Sequence, residues 1–368
     1  MRLRWQCVVE KWNELRIKQF TTKEEPKTIR NLLIHKLVAL KVPPYIVLWI
    51  SAFFKERTQV VTVRGVSSKA CDVKSGVPQG CVLSPALFAL YINDMYSLPL
   101  ASKIISYADD TKLINLTTNS RLLQSDLDLI SVWCVDNYVI INTCKTVFMR
   151  FGKTKVPAEY RICGAPIQEV SNYKDLGILI DNKLTFSNHC NALIKKCSWL
   201  TRSILKLFKH RSALEYFHLF KIYVRPIIEY NIYFWFPYSK LNMSLIESIQ
   251  RKFTKRICDG SLTYEQRLSK IGDHSLHSRY LFISALSTYK IINNLLSVSV
   301  NYNYTTNSKS RRGCHKIFIP FIRNNHRKNF CIYRCIKVWN SLPDSLMNDN
   351  NYPLFRQALV KHIPELRA

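Results

Sequence analysis

Two adjacent aspartates, Asp109 and Asp110, close the segment Ser106, Tyr107, Ala108, Asp109, Asp110. An apolar pair (Ile104, Ile105) precedes them and residues 111–116 follow as a second short run, so the pattern predicts two strands joined by a tight turn, with the aspartates at its tip. Side chains alternate between faces along a strand, but at a turn tip both carboxylates can reach one space. Paired carboxylates on a rigid hairpin suit phosphoryl transfer. Mg²⁺ takes a few carboxylates together with waters and substrate phosphates, and two such ions clamp the attacking and leaving oxygens. Asp also favours turns for its own sake, so two ordinary turn residues are the competing explanation.

Other residues around this pair could serve the same chemistry. The loop of residues 75–80 carries Gly76 and Gly80, which let backbone approach a ligand, and Gln79, whose amide supplies a donor and an acceptor. A solvent-facing amide is the alternative for Gln79. Tyr107 either offers its ring as a stacking surface or is a buried hairpin tyrosine. Lys145 heads a strand-like run and could be a solvated strand-edge lysine. Further on, Lys195, Lys196, Arg202 and Lys206 surround Trp199, and Arg251, Lys252, Lys255 and Arg256 follow. Cations interleaved with aromatics can track a phosphate backbone while rings stack on bases. A solvated helix face is the usual fate of such a run.

The elements that must position these residues follow from local pattern. Residues 31–40 and 45–54 read as helices separated by Pro43 and Pro44. Residues 59–64 and 69–73 alternate like a hairpin. Ser84 is a good N-cap with Pro85 at the first helical position, for a helix to about residue 95. Residues 122–137 have helical spacing, with Leu123, Leu127, Ile130 and Cys134 along one side. Short strands are expected at 145–151 and 176–181, Gly177 marking a close backbone approach. The expected class is α+β, an antiparallel sheet with helices. From residue 184 the pattern is helical, at 186–208, 214–230, 245–258 and 275–294. Residues 301–312 read as a polar linker, and the remainder as a small helical unit. Residues 1–29 suggest a short amphipathic helix and a loop ended by Pro26, with no assigned role.

Composition narrows the partners. Lys and Arg number 54 against 25 Asp and Glu, a net charge of +29, which favours a polyanion through counterion release. A hydrophobic fraction of 47% is that of a globular chain rather than a disordered one. No apolar run is long enough to span a bilayer, so no membrane partner is expected. The charged N-terminus does not suit a signal peptide, and the 12 cysteines read as reduced thiols, so an intracellular protein of nucleus or cytoplasm is expected rather than a secreted one.

The segment SGVPQGCVLSPALFALYIND (residues 75–94), followed by SYADD (106–110), resembles the palm of reverse transcriptases from non-LTR, LINE-type retrotransposons of the jockey/CR1-like kind. Similarity continues through RNLLIHKLVALKVPPYIVLWISAFFKERTQVV from Arg30 and SVWCVDNYVIINTCKTVFMRF from Ser131. YKDLGILIDNKLTF from Tyr173 is similar to the family's primer-grip hairpin, and IYVRPIIEYNIYFWFP, IESIQRKFTKRI and WNSLP resemble its later helical regions. The resemblance implies an RNA-directed DNA polymerase, a nucleotidyltransferase in which a primer 3′-hydroxyl attacks the α-phosphate of a dNTP and pyrophosphate leaves. It implies Asp109 and Asp110 as metal ligands, for Mg²⁺ or Mn²⁺ if the chain is active, and Lys145 as the lysine near the nucleotide phosphates. It implies Gln79, Gly80 and Tyr107 at the nucleotide, and an RNA template and DNA primer as partners, held in part by Lys195, Lys196, Arg202 and Lys206. The implied division is an unassigned segment 1–29, a palm over 30–183, a thumb-like helical region over 184–300, and a linker with a C-terminal helical unit over 301–368. Oligomeric state is left open.

One family feature is missing from its expected place. The family carries another aspartate on a strand reading roughly LDFSKAFD, ahead of the helix corresponding to RNLLIHKL. This sequence has no aspartate before Asp72, and the window offers only Glu24 and Glu25. An N-terminally truncated, catalytically incomplete polymerase domain is therefore expected, because such sites depend on rigid placement of every ligand. The alternatives are a non-catalytic nucleic-acid-binding remnant and a domesticated host RNA-binding protein.

Overall fold

The computed structural model describes residues 5–11, 28–73, 76–78, 80–116, 120–152, 159–296, 316–323, 325–347 and 351–362. It divides into two compact units, Met1–Asn172 and Tyr173–Ala368.

The first unit is built on strand β1 (Trp5–Lys11), helices α1 (Thr28–Ala39) and α2 (Pro44–Phe54), and two small ladders. In these, β2 (Thr58–Gln59) pairs with β5 (Cys71–Asp72) around an inner hairpin of β3 (Thr62–Val63) and β4 (Val66–Ser67). Next come α3 (Ser84–Ile92), a 3₁₀ turn at Asn93–Ser97, the hairpin β6 (Lys103–Tyr107) and β7 (Asp110–Asn115), α4 (Ser120–Asp136), β8 (Val147–Phe151), β9 (Tyr160–Ile162) and β10 (Ala165–Glu169). The main sheet has six strands in the order β6-β7-β1-β8-β10-β9. All its neighbours are antiparallel except β8 and β10.

Alternation fixes which face of the sheet is covered. In β7, Thr111, Leu113 and Asn115 are buried while Asp110, Lys112 and Ile114 are half-buried. The apolar stripe of α4 packs on the covered face: Leu123, Leu127, Ile130 and Cys134 share one core with Leu113, Phe148, Tyr160, Ile162 and Ile167. Each fully buried leucine of this set contributes about 2 kcal/mol. Gln124 of α4 also accepts from the Arg161 N–H and donates to the Arg161 carbonyl, both at 2.9 Å, clamping the helix to β9. Arg30 of α1 donates to the Phe54 carbonyl at 2.7 Å and the Val73 carbonyl at 2.6 Å, joining both helices to the end of β5.

The second unit opens on the hairpin β11 (Asn172–Asp175) and β12 (Ile178–Asp181), followed by α5 (Ser187–Leu207), α6 (Ala213–Tyr223), α7 (Arg225–Glu229), α8 (Ile232–Trp235), α9 (Lys240–Ile257), α10 (Tyr264–Ile271) and α11 (Leu276–Ile292). Beyond residue 315 lie α12 (Asn325–Lys328), α13 (Cys331–Asn340), α14 (Asp344–Met347) and α15 (Tyr352–His362). Its core is aromatic: Phe220 stacks between Phe217 and Phe253, and Phe236 stacks on Tyr280 with centroids 4.1 Å apart. A second cluster ties α11 to α13 and α15 through Tyr289, Trp339 and Phe355. Together the units are α+β, as expected.

Several local expectations change. Within residues 1–29 the described segment Trp5–Lys11 is a strand, not a helix. Ser84 does not cap α3; it is the first helical residue, and its hydroxyl donates to the Pro78 carbonyl. Residues 214–230 form two helices because Pro226, near the start of α7, has no N–H to continue the first. Gly177 lies in the turn between β11 and β12 at φ +90°, and a Cβ there would stand 3.7 Å from the Tyr230 ring. That left-handed conformation is what reserves the position for glycine. The polar stretch 301–312 lies outside the described residues.

His189 of α5 gives the second unit a pH dependence. It is buried edge-on to Trp235, centroids 4.8 Å apart, and its Nδ1 accepts from the Leu179 N–H at 3.3 Å. Burial, with a smaller contribution from Lys174, pulls its pKa down to about 4. An unfolded histidine titrates near 6.5, so as pH falls from about 6.5 towards 4 the unfolded chain takes up a proton that the folded chain does not. The expected loss across that window is roughly 1–3 kcal/mol. Urea midpoints measured from pH 7 to 4 should fall in the parent and fall less in His189→Phe.

Candidate polymerase-like site at the end of the sheet

The aspartate hairpin is short and tightly held. Tyr107 pairs with Asp110 at the last rung of the β6–β7 ladder, and Ala108 and Asp109 form the turn between them. The Ser106 and Thr111 hydroxyls bond at 2.9 Å one rung below. Ala108 sits at φ +51°, a left-handed conformation costing a residue with a Cβ about 1–2 kcal/mol. Asp109 and Asp110 are both half-buried, while Tyr107 is 67% exposed and so is not a core residue of the hairpin.

A buried carboxylate anchors the hairpin's base. Asp126 of α4, 2% exposed, accepts from the Ala101 N–H at 2.9 Å and the Ser102 N–H at 2.8 Å, just ahead of β6. Ser102 in turn accepts from Asn115 at the far end of β7, at 3.0 Å. Asp126→Ala leaves the buried Ser102 N–H and the part-buried Ala101 N–H without their acceptor, and the expected cost is about 2–4 kcal/mol in an unfolding titration. Asp126→Asn, which retains one acceptor, should lose less. The sequence held a signal for this residue: Asp126 interrupts the apolar stripe of Leu123, Leu127 and Ile130, where a charge needs a partner.

Lys145 is positioned by the start of β8. It lies in a turn just before β8 rather than in the strand, its N–H bonded to the Asn142 carbonyl at 3.0 Å. Lys112 of β7 and Val147 of β8 both pair with Val9 of β1, so β7 and β8 run in the same direction on either side of it. Asp110 stands two residues ahead of Lys112, and Lys145 two residues ahead of Val147. Asp110 and the start of β8 therefore lie towards the same end of the sheet, with β1 between them. Gly80 is exposed at φ +77°, in the loop that Ser84 ties at Pro78. Gln79 lies outside the described residues.

The cations Lys195, Lys196, Arg202 and Lys206 belong to the second unit, all exposed on α5. Positions 195, 199, 202 and 206 recur at helical spacing, and Trp199 among them is 61% exposed. Arg251, Lys252, Lys255 and Arg256 are likewise exposed on α9. Among the described residues no group of three or more His, Cys, Asp or Glu is placed to hold a metal ion, and no helix is long and apolar enough to cross a membrane.

Comparison with known proteins points in one direction. Residues 30–180 match the model of the reverse transcriptase (RNA-dependent DNA polymerase) family. Over 257 residues the chain is 29% identical to the RNA-directed DNA polymerase from mobile element jockey of Drosophila melanogaster, covering 63% of this chain and 28% of that protein. It is 28% identical over 244 residues to the probable RNA-directed DNA polymerase from transposon BS of the same organism, covering 62% and 27%. For the probable polymerase from transposon X-element the identity is 29% over 227 residues, covering 56% and 24%. The chain thus spans about a quarter of the length of the curated relatives it matches.

Proposed function

We propose, from the premise that residues 30–180 are a reverse transcriptase domain with non-LTR retrotransposon relatives, that this chain binds an RNA template paired with a DNA primer and does not extend it unaided. What supports the reading is the hairpin tip that carries Tyr107, Asp109 and Asp110, within the family match over residues 30–180. In this reading Gln79, Gly80 and Tyr107 border a dNTP, and the Lys145 ammonium faces its phosphates, where charge develops as pyrophosphate leaves. Lys195, Lys196, Arg202 and Lys206 contact the phosphates of the template–primer duplex.

Reverse transcriptases generally use divalent metal ions, and Mg²⁺ or Mn²⁺ would take Asp109 and Asp110 as ligands. Asp109 stands in the turn and Asp110 on the last rung of the ladder, both half-buried, so the hairpin tip offers these two carboxylates to a cation.

Fluorescence anisotropy with a labelled RNA–DNA primer–template tests the binding half of this reading. Affinity should fall linearly on a log–log plot against salt, by roughly 0.7–0.9 per phosphate contact. Binding indifferent to salt, or absent at low salt, would reject it.

A further inference from the structure

We propose that the outward side of α2 is a stacking platform for the unpaired bases of a single-stranded nucleic acid, with Trp49 at its centre and Arg57 at its end. This platform belongs to the first unit and to unpaired bases, whereas α5 in the preceding reading contacts duplex phosphates in the second, so either can fail without the other.

α2 carries no charged residue from Pro44 to Phe54. A helix that is apolar all round is ordinarily buried all round. Here Val47, Ile50 and Phe54 enter the core of the first unit, while Tyr45, Leu48 and Trp49 are 72%, 70% and 58% exposed. Tyr45, Trp49 and Phe53 recur every four residues and so lie along one side of the helix. Trp49 stacks on Phe53, with centroids 6.1 Å and planes 20° apart, and the Arg57 guanidinium stands 5.0 Å from the Phe53 centroid. The row of rings thus runs through a cation into the start of β2. Exposed rings joined to an arginine are what successive bases stack on, each such contact being sequence-tolerant because every base has a π-face. Charge selects the occupant. From Thr28 to Cys71 the only acid is Glu56, whereas Lys41, Lys55, Arg64 and Lys69 are exposed and Arg57 is half-buried. Those surroundings attract a polyanion and repel a second copy of this chain, which would bring the same cations to the same place. In a duplex the base faces are already stacked on one another, so the rings of α2 suit an unpaired strand.

The test uses the full 368-residue chain and the anisotropy of a labelled single-stranded oligoadenylate of about 12 nucleotides, beside an abasic strand of the same length and charge. The parent should bind the oligoadenylate at least about tenfold more tightly than the abasic strand, and Trp49→Ala should remove most of that difference. Trp49→Phe, which keeps a ring, should retain it in large part. Tyr45→Ala should show a smaller loss in the same direction and stands in should Trp49→Ala not fold. Affinity for a fully paired duplex should be the same in the parent and in Trp49→Ala, which separates this platform from α5. The proposal is overturned if the parent binds both strands equally, or if neither alanine variant loses affinity for the oligoadenylate. It is equally overturned if the parent sediments as a dimer that Trp49→Ala dissolves, since the face would then belong to a second copy.

Discussion

Replacing Lys195, Lys196, Arg202 and Lys206 together by Glu is expected to weaken binding of an RNA–DNA primer–template by more than about a hundredfold near 0.1 M salt. All four side chains are exposed, and the span from residue 195 to 206 covers about 17 Å of helix, enough to meet several successive phosphates. Loss of these contacts should also shrink the log–log salt slope by about 3. That second effect separates contact from mere net charge. Lys361→Glu, an exposed change on α15, should leave the slope intact. Trp199→Ala should lower affinity with little change in slope, since a stacking ring releases no counterion. Wild-type affinity and slope in the fourfold variant would show that α5 is an ordinary solvated face.

Asp273→Ala is expected to cost the second unit about 3–5 kcal/mol in chemical denaturation, the largest stability effect among the described ion pairs. The Asp273 carboxylate is 7% exposed and accepts from Arg225 at 2.7 Å and Lys221 at 2.9 Å. Burial alone would raise its pKa, but hydrogen bonds and charge from Arg225, with help from Lys221, hold it below the usual carboxylate range. Removing it leaves the buried Arg225 guanidinium with the Glu229 carboxylate, 4.0 Å away and already bonded by Arg279 at 2.6 Å and 2.9 Å. Stability from the lowered pKa is present above the unfolded value near 4 and is lost as pH falls through the folded one. Asp273→Asn keeps the shape and removes the charge, so it should recover part of the loss. The exposed Arg150–Glu169 pair, by contrast, should be worth no more than about 1 kcal/mol, because solvent screens it.

The helices were largely legible because their cores repeat at 3.6 residues. Residues 186–208 were expected as one helix, and α5 runs from Ser187 to Leu207. The aspartate hairpin was legible from its turn chemistry and flanking alternation. Other parts depend on partners distant in the chain. β1 carries Val8 and Val9 but has no alternation that names its neighbours, and its ladders form with residues about a hundred or more positions away. β9 and β10 are short strands around the turn at Gly164, too brief for a periodic signal. Ser84 had the right chemistry for a cap and spends its hydroxyl on Pro78 instead, a choice made by the loop's path rather than by the helix. Asp273 stood in the sequence as a surface-type residue, and only packing turned it into an anchor.

The most direct measurement is primer extension by the purified chain on an RNA template with a DNA primer, all four dNTPs and Mg²⁺ or Mn²⁺. In the same samples, anisotropy reports whether the duplex is bound. The account predicts a bound duplex and no cDNA above the enzyme-free control. A ladder of extension products that disappears in Asp109→Asn and Asp110→Asn would contradict it, showing that the hairpin tip assembles a working site.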